Sequence, residues 1–145
     1  MNLTGSWKGK YIYGREYPSS LVGKAEPFEM NIVDNNGSVS GSCIDNIVTA
    51  VSGNESYIIG TFFNNCIQFK KRYKVHASID ENANLVVDND LQSDGVDYTG
   101  ILKRKLFSRN YYFKGEWQIR TYYKDEGGAT RYFVCCGTWE MKKNL

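Results

Sequence analysis

A short stretch near the start of the chain, Gly5-Ser6-Trp7-Lys8-Gly9-Lys10-Tyr11-Ile12-Tyr13, most constrains the fold. Its odd positions hold Gly, Trp, Gly, Tyr and Tyr, whereas its even positions hold Ser, Lys, Lys and Ile. This period of two predicts a half-buried strand. The same Gly-x-aromatic signature returns at Gly60-Thr61-Phe62, Gly115-Glu116-Trp117 and Gly137-Thr138-Trp139. Matching signatures in the first and last strands indicate a sheet that closes on itself.

Alternating patterns separated by turn residues continue through the chain, and no window shows apolar residues at helical spacing. The further strands predicted are Glu26–Val33, Ser38–Asp45, Ser56–Phe63, Cys66–Val75, Val96–Lys105, Tyr111–Tyr123 and Thr130–Lys143. The fold class is therefore all-β, an antiparallel up-and-down eight-stranded β-barrel that forms one domain over residues 1–145. A barrel of nine or ten strands that uses Leu85–Asp88 is the alternative.

The predicted connections sort to two ends of such a barrel. Short turns at 34–38, 63–66 and 106–110 lie at one end, and the connections at 14–25, 46–55, 76–95 and 124–129 lie at the other. If Leu85–Asp88 forms a strand, the last strands reverse and this sorting fails in part. Inward positions near the short turns are apolar, whereas those near the long loops are mostly polar or aromatic.

Aromatic walls with a few placed polar groups are typical of ligand sites, and an eight-stranded barrel has room for one small ligand. We therefore predict a non-enzymatic site for a small apolar or aromatic ligand at the long-loop end. The candidate ligand-binding residues are Tyr11, Tyr13, Cys43, Asp45, Lys71, Tyr73, Tyr98, Trp117 and Arg131. The alternative is that the tyrosines simply fill the barrel.

Lys71 is the most unusual of the predicted inward residues, because it shares a strand face with Phe69 and Tyr73. A buried lysine needs a partner or a lowered pKa. It could anchor a ligand anion or carboxylate. Alternatively, a local bulge turns it outward, or its stem carries the amine to solvent.

Composition and motifs argue against several functional classes. The net charge of +2 does not imply a polyanion partner, and the outward basic residues Lys70, Arg72, Lys74, Lys103 and Lys105 are expected to form a solvated face rather than a nucleic-acid site. No apolar run approaches ~18 residues, so no membrane partner is expected. The absence of a nucleophile–base pair, a phosphate loop or metal-ligand spacing predicts no catalytic residue, metal or cofactor, and favours a protein that is not an enzyme.

The four cysteines show no CxxC spacing. Together with a first strand that begins almost directly after Met1, they predict a cytoplasmic protein with reduced thiols and no leader. A mature secreted form is the alternative.

An apolar stripe on the outer face of the last two strands offers a different function. It comprises Tyr112, Tyr122, Tyr132, Val134 and Cys136. Such a stripe on a barrel indicates a homo-oligomer contact. The alternative to a ligand-binding barrel is therefore a protein–protein interaction module with a filled lumen.

Several short motifs resemble avidin and streptavidin. These are Leu3-Thr4-Gly5-Ser6-Trp7, Ser40-Gly41-Ser42-Cys43, the segment from Ala50 through Tyr57 leading to Gly60-Thr61-Phe62, and Tyr98-Thr99-Gly100. Gly-x-Trp in the first strand is also shared by the wider calycin group, including lipocalins. The resemblance implies an avidin-like or lipocalin-like barrel and an oligomer contact on the outer stripe.

The biotin-site residues of that family are not retained. The position of the family's ligand asparagine is Gly9, its third-strand tyrosine and serine fall on Cys43 and Asp45, and its sixth-strand tryptophan falls on Tyr98. Only Trp117 keeps a pocket tryptophan. Because each unmatched buried polar contact costs about 1–3 kcal/mol, we expect no biotin binding.

Overall fold

The computed structural model describes residues 1–47, 53, 55–88, 94–107 and 110–144, except for the side chain of Tyr123. Its strands are β1 (Gly5–Tyr13), β2 (Ala25–Asn35), β3 (Ser38–Asp45), β4 (Ser56–Phe63), β5 (Cys66–Arg72), β6 (His76–Ile79), β7 (Leu85–Asp88), β8 (Val96–Arg104), β9 (Tyr111–Lys124) and β10 (Thr130–Lys143). Most of the predicted loop at 46–55, parts of the predicted loop at 76–95 and of the predicted turn at 106–110, and half of the stretch from Ala50 to Tyr57 lie outside the described residues.

Eight strands form a closed antiparallel barrel in the order β1-β10-β9-β8-β5-β4-β3-β2. Closure comes from β1 and β10, which pair from Trp7 opposite Lys143 to Tyr13 opposite Gly137. The predicted all-β barrel is therefore confirmed. Within the described residues, no helix is long and apolar enough to span a membrane.

The remaining strands, β6 and β7, pair only with each other and form a separate hairpin. The strand predicted as an alternative at Leu85–Asp88 is present, but it does not enlarge the barrel. Because two strands are inserted together, the chain enters β8 in the direction that the eight-stranded prediction assumed. The expectation that an extra strand would reverse the later strands is therefore wrong, and the sorting of the connections holds.

β5 ends at Arg72, three residues before the predicted limit.

The short-turn end of the barrel is closed. Leu3, Trp7 and Phe113 are each 0% exposed. The Leu3 amide donates to Asp34 Oδ2 at 2.9 Å, and Trp7 Nε1 donates to the Leu3 carbonyl at 2.9 Å. The N-terminal segment thus seals this end and leaves the buried polar groups hydrogen-bonded.

Strand glycines make room for the large indoles of the core. A Cβ on Gly100 would lie 2.5 Å from Trp139 Cζ2, and one on Gly137 would lie 2.6 Å from Trp117 Cε2. The Trp139 ring is also fixed, because its Nε1 donates to the carbonyls of Thr99 and Glu116 at 3.0 and 3.1 Å. Glycine therefore allows the indoles to lie flat against neighbouring strands.

β9 and β10 are longer than their barrel partners. β8 pairs with β9 only as far as Gln118, and β1 pairs with β10 only as far as Gly137. Beyond these positions the two strands pair with each other, up to Lys124 opposite Thr130. A two-stranded ribbon, residues 119–124 and 130–136, therefore projects past the long-loop end.

Candidate functional site

A cavity of about 480 Å³ opens at the long-loop end of the barrel. It is surrounded by the barrel strands at this end, the loop after β1, Ile47 after β3, Tyr73 after β5, the β6–β7 hairpin and the inner face of the β9–β10 ribbon. Its lining residues are Tyr11, Tyr13, Glu16, Tyr17, Pro18, Ile47, Tyr73, Ala77, Ser78, Ile79, Asp80, Glu81, Leu85, Val96, Tyr98, Trp117, Ile119, Thr121, Phe133 and Cys135. The cavity lies at the end of the barrel where the sequence analysis placed a pocket.

An aromatic cluster forms one wall. Tyr13 packs edge-on against Tyr17 with ring centroids 4.8 Å apart, and Trp117 lies 5.9 Å from Tyr17 and 6.2 Å from Tyr11. Trp117 Nε1 donates to the Ile12 carbonyl at 3.2 Å, which fixes the indole against β1. The wall is therefore held by contacts between neighbouring strands and does not need a ligand to order it.

Burial keeps these phenols neutral. It raises the pKa of Tyr11, of Tyr13 and of Tyr17 above the ordinary value of 10.0. Burial also raises the pKa of Tyr98 to about 12, although Lys71 opposes this shift. At neutral pH the wall therefore presents uncharged rings with hydroxyl groups.

Beneath the cavity lies a buried ion pair between β5 and β3. Lys71 Nζ is 3.0 Å from Asp45 Oδ2, and the two residues are 1% and 2% exposed. The Tyr73 hydroxyl donates to the same carboxylate oxygen at 2.5 Å, and the Ile47 amide donates to Asp45 Oδ1 at 3.1 Å. The inward position of Lys71 is as the strand pattern predicted, and the outward bulge offered as an alternative is wrong.

The ammonium of Lys71 is also surrounded by aromatic rings. Its Nζ lies 5.4 Å from the ring centroid of Tyr11, 4.8 Å from that of Tyr73 and 5.9 Å from that of Tyr98. Burial alone would lower the pKa of Lys71, but the phenol oxygens of Tyr73 and Tyr98 and the Asp45 carboxylate outweigh it, so the pKa is raised well above its ordinary value. Lys71 therefore remains protonated, with Asp45 as its counterion.

The candidate residues fall into three groups in the structure. Tyr11, Tyr13, Tyr73, Tyr98 and Trp117 line the cavity. The second group, Cys43, Asp45 and Lys71, is buried and is not part of the cavity lining. The third, Arg131, is exposed on the projecting ribbon and pairs with Asp125 at 2.5 Å.

The strand pattern gave the inward position of Lys71 but not its partner Asp45, and it did not give the exposed position of Arg131. Lys71 is not free to anchor a ligand anion, because its ammonium already pairs with the Asp45 carboxylate. Arg131 lies where β10 no longer has β1 as a neighbour, so an inward position in the sequence pattern no longer faces the lumen.

Several lining residues were absent from the predicted site. Tyr17 lies in the loop after β1, where no strand alternation indicates the direction of its side chain. Ala77, Ile79 and Leu85 come from the β6–β7 hairpin, whose position over the mouth follows from tertiary packing. Phe133, on β10, was not among the candidate residues, and it is 47% exposed at the edge of the cavity.

The sequence departs from the avidin pattern at Gly9, and the structure shows why an asparagine does not fit there. A Cβ on Gly9 would lie 2.5 Å from Phe28 Cζ and 2.4 Å from the Glu140 carbonyl oxygen. These separations are far shorter than van der Waals contact. The backbone and Phe28 thus occupy the space that a longer side chain would need.

No protein-family model and no curated protein matches this chain. Among solved structures, the rhizavidin–biotin complex is 13% identical with a TM-score of 0.47, covering 96% of each chain. The short afifavidin–biotin complex is 14% identical with a TM-score of 0.48, covering 92% of this chain and 87% of that chain. Rhizavidin alone is 13% identical with a TM-score of 0.49, covering 97% of this chain and 83% of that chain. At these identities the likeness concerns the fold alone.

Proposed function

We propose that this protein binds a small apolar or aromatic ligand in the cavity at the mouth of its barrel. The observation that carries the proposal is an open cavity of about 480 Å³ with an aromatic wall, set above a barrel interior that is packed and closed at its other end. Ligand sites of small molecules typically have this volume and this mixture of aromatic surface with a few polar groups.

The ligand is proposed to be a compound other than biotin. Gly9, Cys43, Asp45 and Tyr98 stand where the resembling family has biotin partners. Two of these positions now serve the interior of this barrel, since Asp45 holds Lys71 and Tyr98 stacks on Phe69 with ring centroids 4.8 Å apart.

Native mass spectrometry of protein purified from its own host tests the proposal directly. The expected result is a small mass that remains bound under gentle conditions and is lost on denaturation. A variant that blocks the cavity supplies the mutational test. Ala77→Trp places an indole in the lining, and the fraction of protein that carries the bound mass should fall at least tenfold. Val86→Trp is the matched control, since Val86 is 48% exposed on the same hairpin and does not line the cavity. Equal loss in both variants would contradict a site in this cavity.

A second candidate function is self-association through the outer face of the ribbon. Tyr122 and Tyr132 are 49% and 55% exposed, with ring centroids 5.8 Å apart, and Val134 is 38% exposed. Arg120 lies 5.3 Å from the centroid of Tyr132. The other two residues of the predicted stripe, Tyr112 and Cys136, are half-buried. Exposed aromatic side chains beside an arginine are enriched at protein interfaces.

Sedimentation over a range of protein concentrations tests self-association. The mass of the native protein should rise with concentration. The Tyr132→Lys variant should keep the mass of a single chain at all concentrations. A single-chain mass for the native protein at all concentrations would contradict this second function and leave the ligand site unaffected.

A further inference from the structure

The charge of the cavity lining is one-sided. Glu16, Asp80 and Glu81 line it, whereas no lining residue in the described part of the chain is Lys or Arg. Hydrogen bonds lower the pKa of Glu16 and of Asp80, chiefly bonds with their own backbone and with the Asn84 backbone respectively. Both are therefore ionised at neutral pH. A ligand that enters the mouth meets negative charge.

Nearby basic groups do not offset these carboxylates inside the cavity. Lys71 is neutralised by Asp45 beneath the lining, and Lys24 is paired with the buried Glu26 at 3.2 Å. The Arg15 side chain is 93% exposed and lies 4.0 Å from Glu16, so it is directed to solvent. Among the residues outside the described part of the chain, Arg109 is the one basic residue in the sequence, and it belongs to the turn predicted at the opposite, short-turn end.

The aromatic wall has the chemistry to receive a positive charge. Tyr13, Tyr17 and Trp117 lie side by side in the lining, with ring centroids 4.8 to 6.4 Å apart. The negative face of an aromatic ring attracts ammonium groups within about 6 Å, most strongly for Trp. Lys71 already holds its ammonium within such distances of three tyrosines in the same barrel. Neutral phenols and an indole beside carboxylates are the groups that recognise organic cations.

We propose that the cavity selects aromatic or apolar amines that carry a positive charge over neutral and anionic compounds of the same shape. This inference rests on the proposed ligand-binding function and specifies its ligand class. It reverses the preference that an anion-anchoring Lys71 would impose. The aromatic wall binds the body of the ligand and its cation, and the carboxylates at the mouth attract the cation and repel anions.

Three probes of matched size test the preference: 3-phenylpropylamine, 3-phenylpropanol and 3-phenylpropanoate, titrated by calorimetry at neutral pH and low salt. We expect the amine to bind about tenfold more tightly than the alcohol, and the carboxylate to bind most weakly. Added salt should reduce the difference between amine and carboxylate, because exposed charges are screened.

Two variants locate the preference in the cavity. Glu81→Gln removes a lining carboxylate, and Tyr17→Leu removes an aromatic face while it keeps an apolar wall. Each should weaken amine binding severalfold and alter alcohol binding little. Glu29→Gln is the control, because Glu29 lies on the outside of β2 and pairs with Lys8 at 3.0 Å.

The outcomes separate this inference from the proposed function. Equal affinity for the three probes, or tighter binding of the carboxylate, would overturn the cation preference while the ligand-binding function stands. No saturable binding of any probe, together with no small mass in native spectra, would overturn both. A preference for the amine that persists unchanged in Glu81→Gln and Tyr17→Leu would also refute the assignment to this cavity.

Discussion

The two ends of this barrel are built on different principles. At the closed end, apolar side chains are buried in the lumen, and hydrogen bonds fix Leu3 and Trp7 beside Asp34. At the open end, a charged pair and a ring of phenols lie under a cavity. One sheet can thus combine a packed half that stabilises the fold with a half whose aromatic side chains border an open cavity.

The largest expected difference between the two ends is in the cost of side-chain truncation. Phe113→Ala at the closed end should reduce the free energy of unfolding by about 3–5 kcal/mol, because it leaves a cavity in a packed core. Tyr17→Ala at the open end should cost much less, because Tyr17 is half-buried beside an existing cavity. Urea unfolding of both variants measures the two free energies, and equal losses would contradict the difference in packing between the two ends.

Removal of Lys71 tests the polar half. Lys71→Met leaves the buried Asp45 carboxylate without its cation and should cost about 3–5 kcal/mol. The double variant Lys71→Met, Asp45→Leu removes both charges and should recover most of that loss, since a buried pair contributes little net stability. The free energies of unfolding of Lys71→Met, Asp45→Leu and the double variant give the coupling energy between the two side chains. Additive losses would contradict the direct pairing at 3.0 Å.

Gly100→Ala tests how closely the core indole is fitted. The added methyl would lie 2.5 Å from the Trp139 ring, which two hydrogen bonds hold in place, so a loss of about 1–3 kcal/mol is expected. Gly127→Ala is the matched control, because the nearest atom to its Cβ is Asp125 Oδ1 at 3.5 Å. Thermal unfolding of both variants measures the difference, and equal midpoints would contradict the close fit.

The smallest expected effect is a loss of stability at alkaline pH, when the buried Tyr98 ionises. The folded-state pKa of Tyr98 is about 12, above the ordinary value of 10.0, so the unfolded chain loses this proton first. The stabilisation from the neutral phenol is complete below pH 10 and is lost as the pH rises through 12. Phenolate absorbance should show exposed tyrosines titrating first and the buried ones later, with unfolding. A single transition near pH 10 in the folded protein would contradict the burial.

Sequence alone predicted the barrel because its period-two strands and turn residues are local signals. Asn36 and Gly37, for example, have φ of 54° and 90°, as the β2–β3 turn requires. The Lys71–Asp45 pair was not predictable in the same way. The two residues are 26 positions apart on strands separated by β4, and strand alternation does not give the register across three strands that brings them together.

The differences between the predicted and the observed lining of the cavity have a common physical cause. Alternation tells which face of a sheet a residue occupies, but not whether another wall stands opposite that face. Arg131 has the inward parity of β10, yet it lies on the ribbon beyond β1. Tyr17 lies on no strand and becomes a wall residue because it packs on Tyr13.

The β6–β7 hairpin has a consequence for how such a protein can diversify. The hairpin leaves and rejoins the ring between two strands, β5 and β8, that already pair directly from Cys66 opposite Ile101 to Lys71 opposite Val96. The ring is therefore continuous without it, and any insertion with an even number of strands returns the chain in the required direction. Part of the cavity wall can thus be exchanged or lengthened as one unit, while the barrel keeps its register.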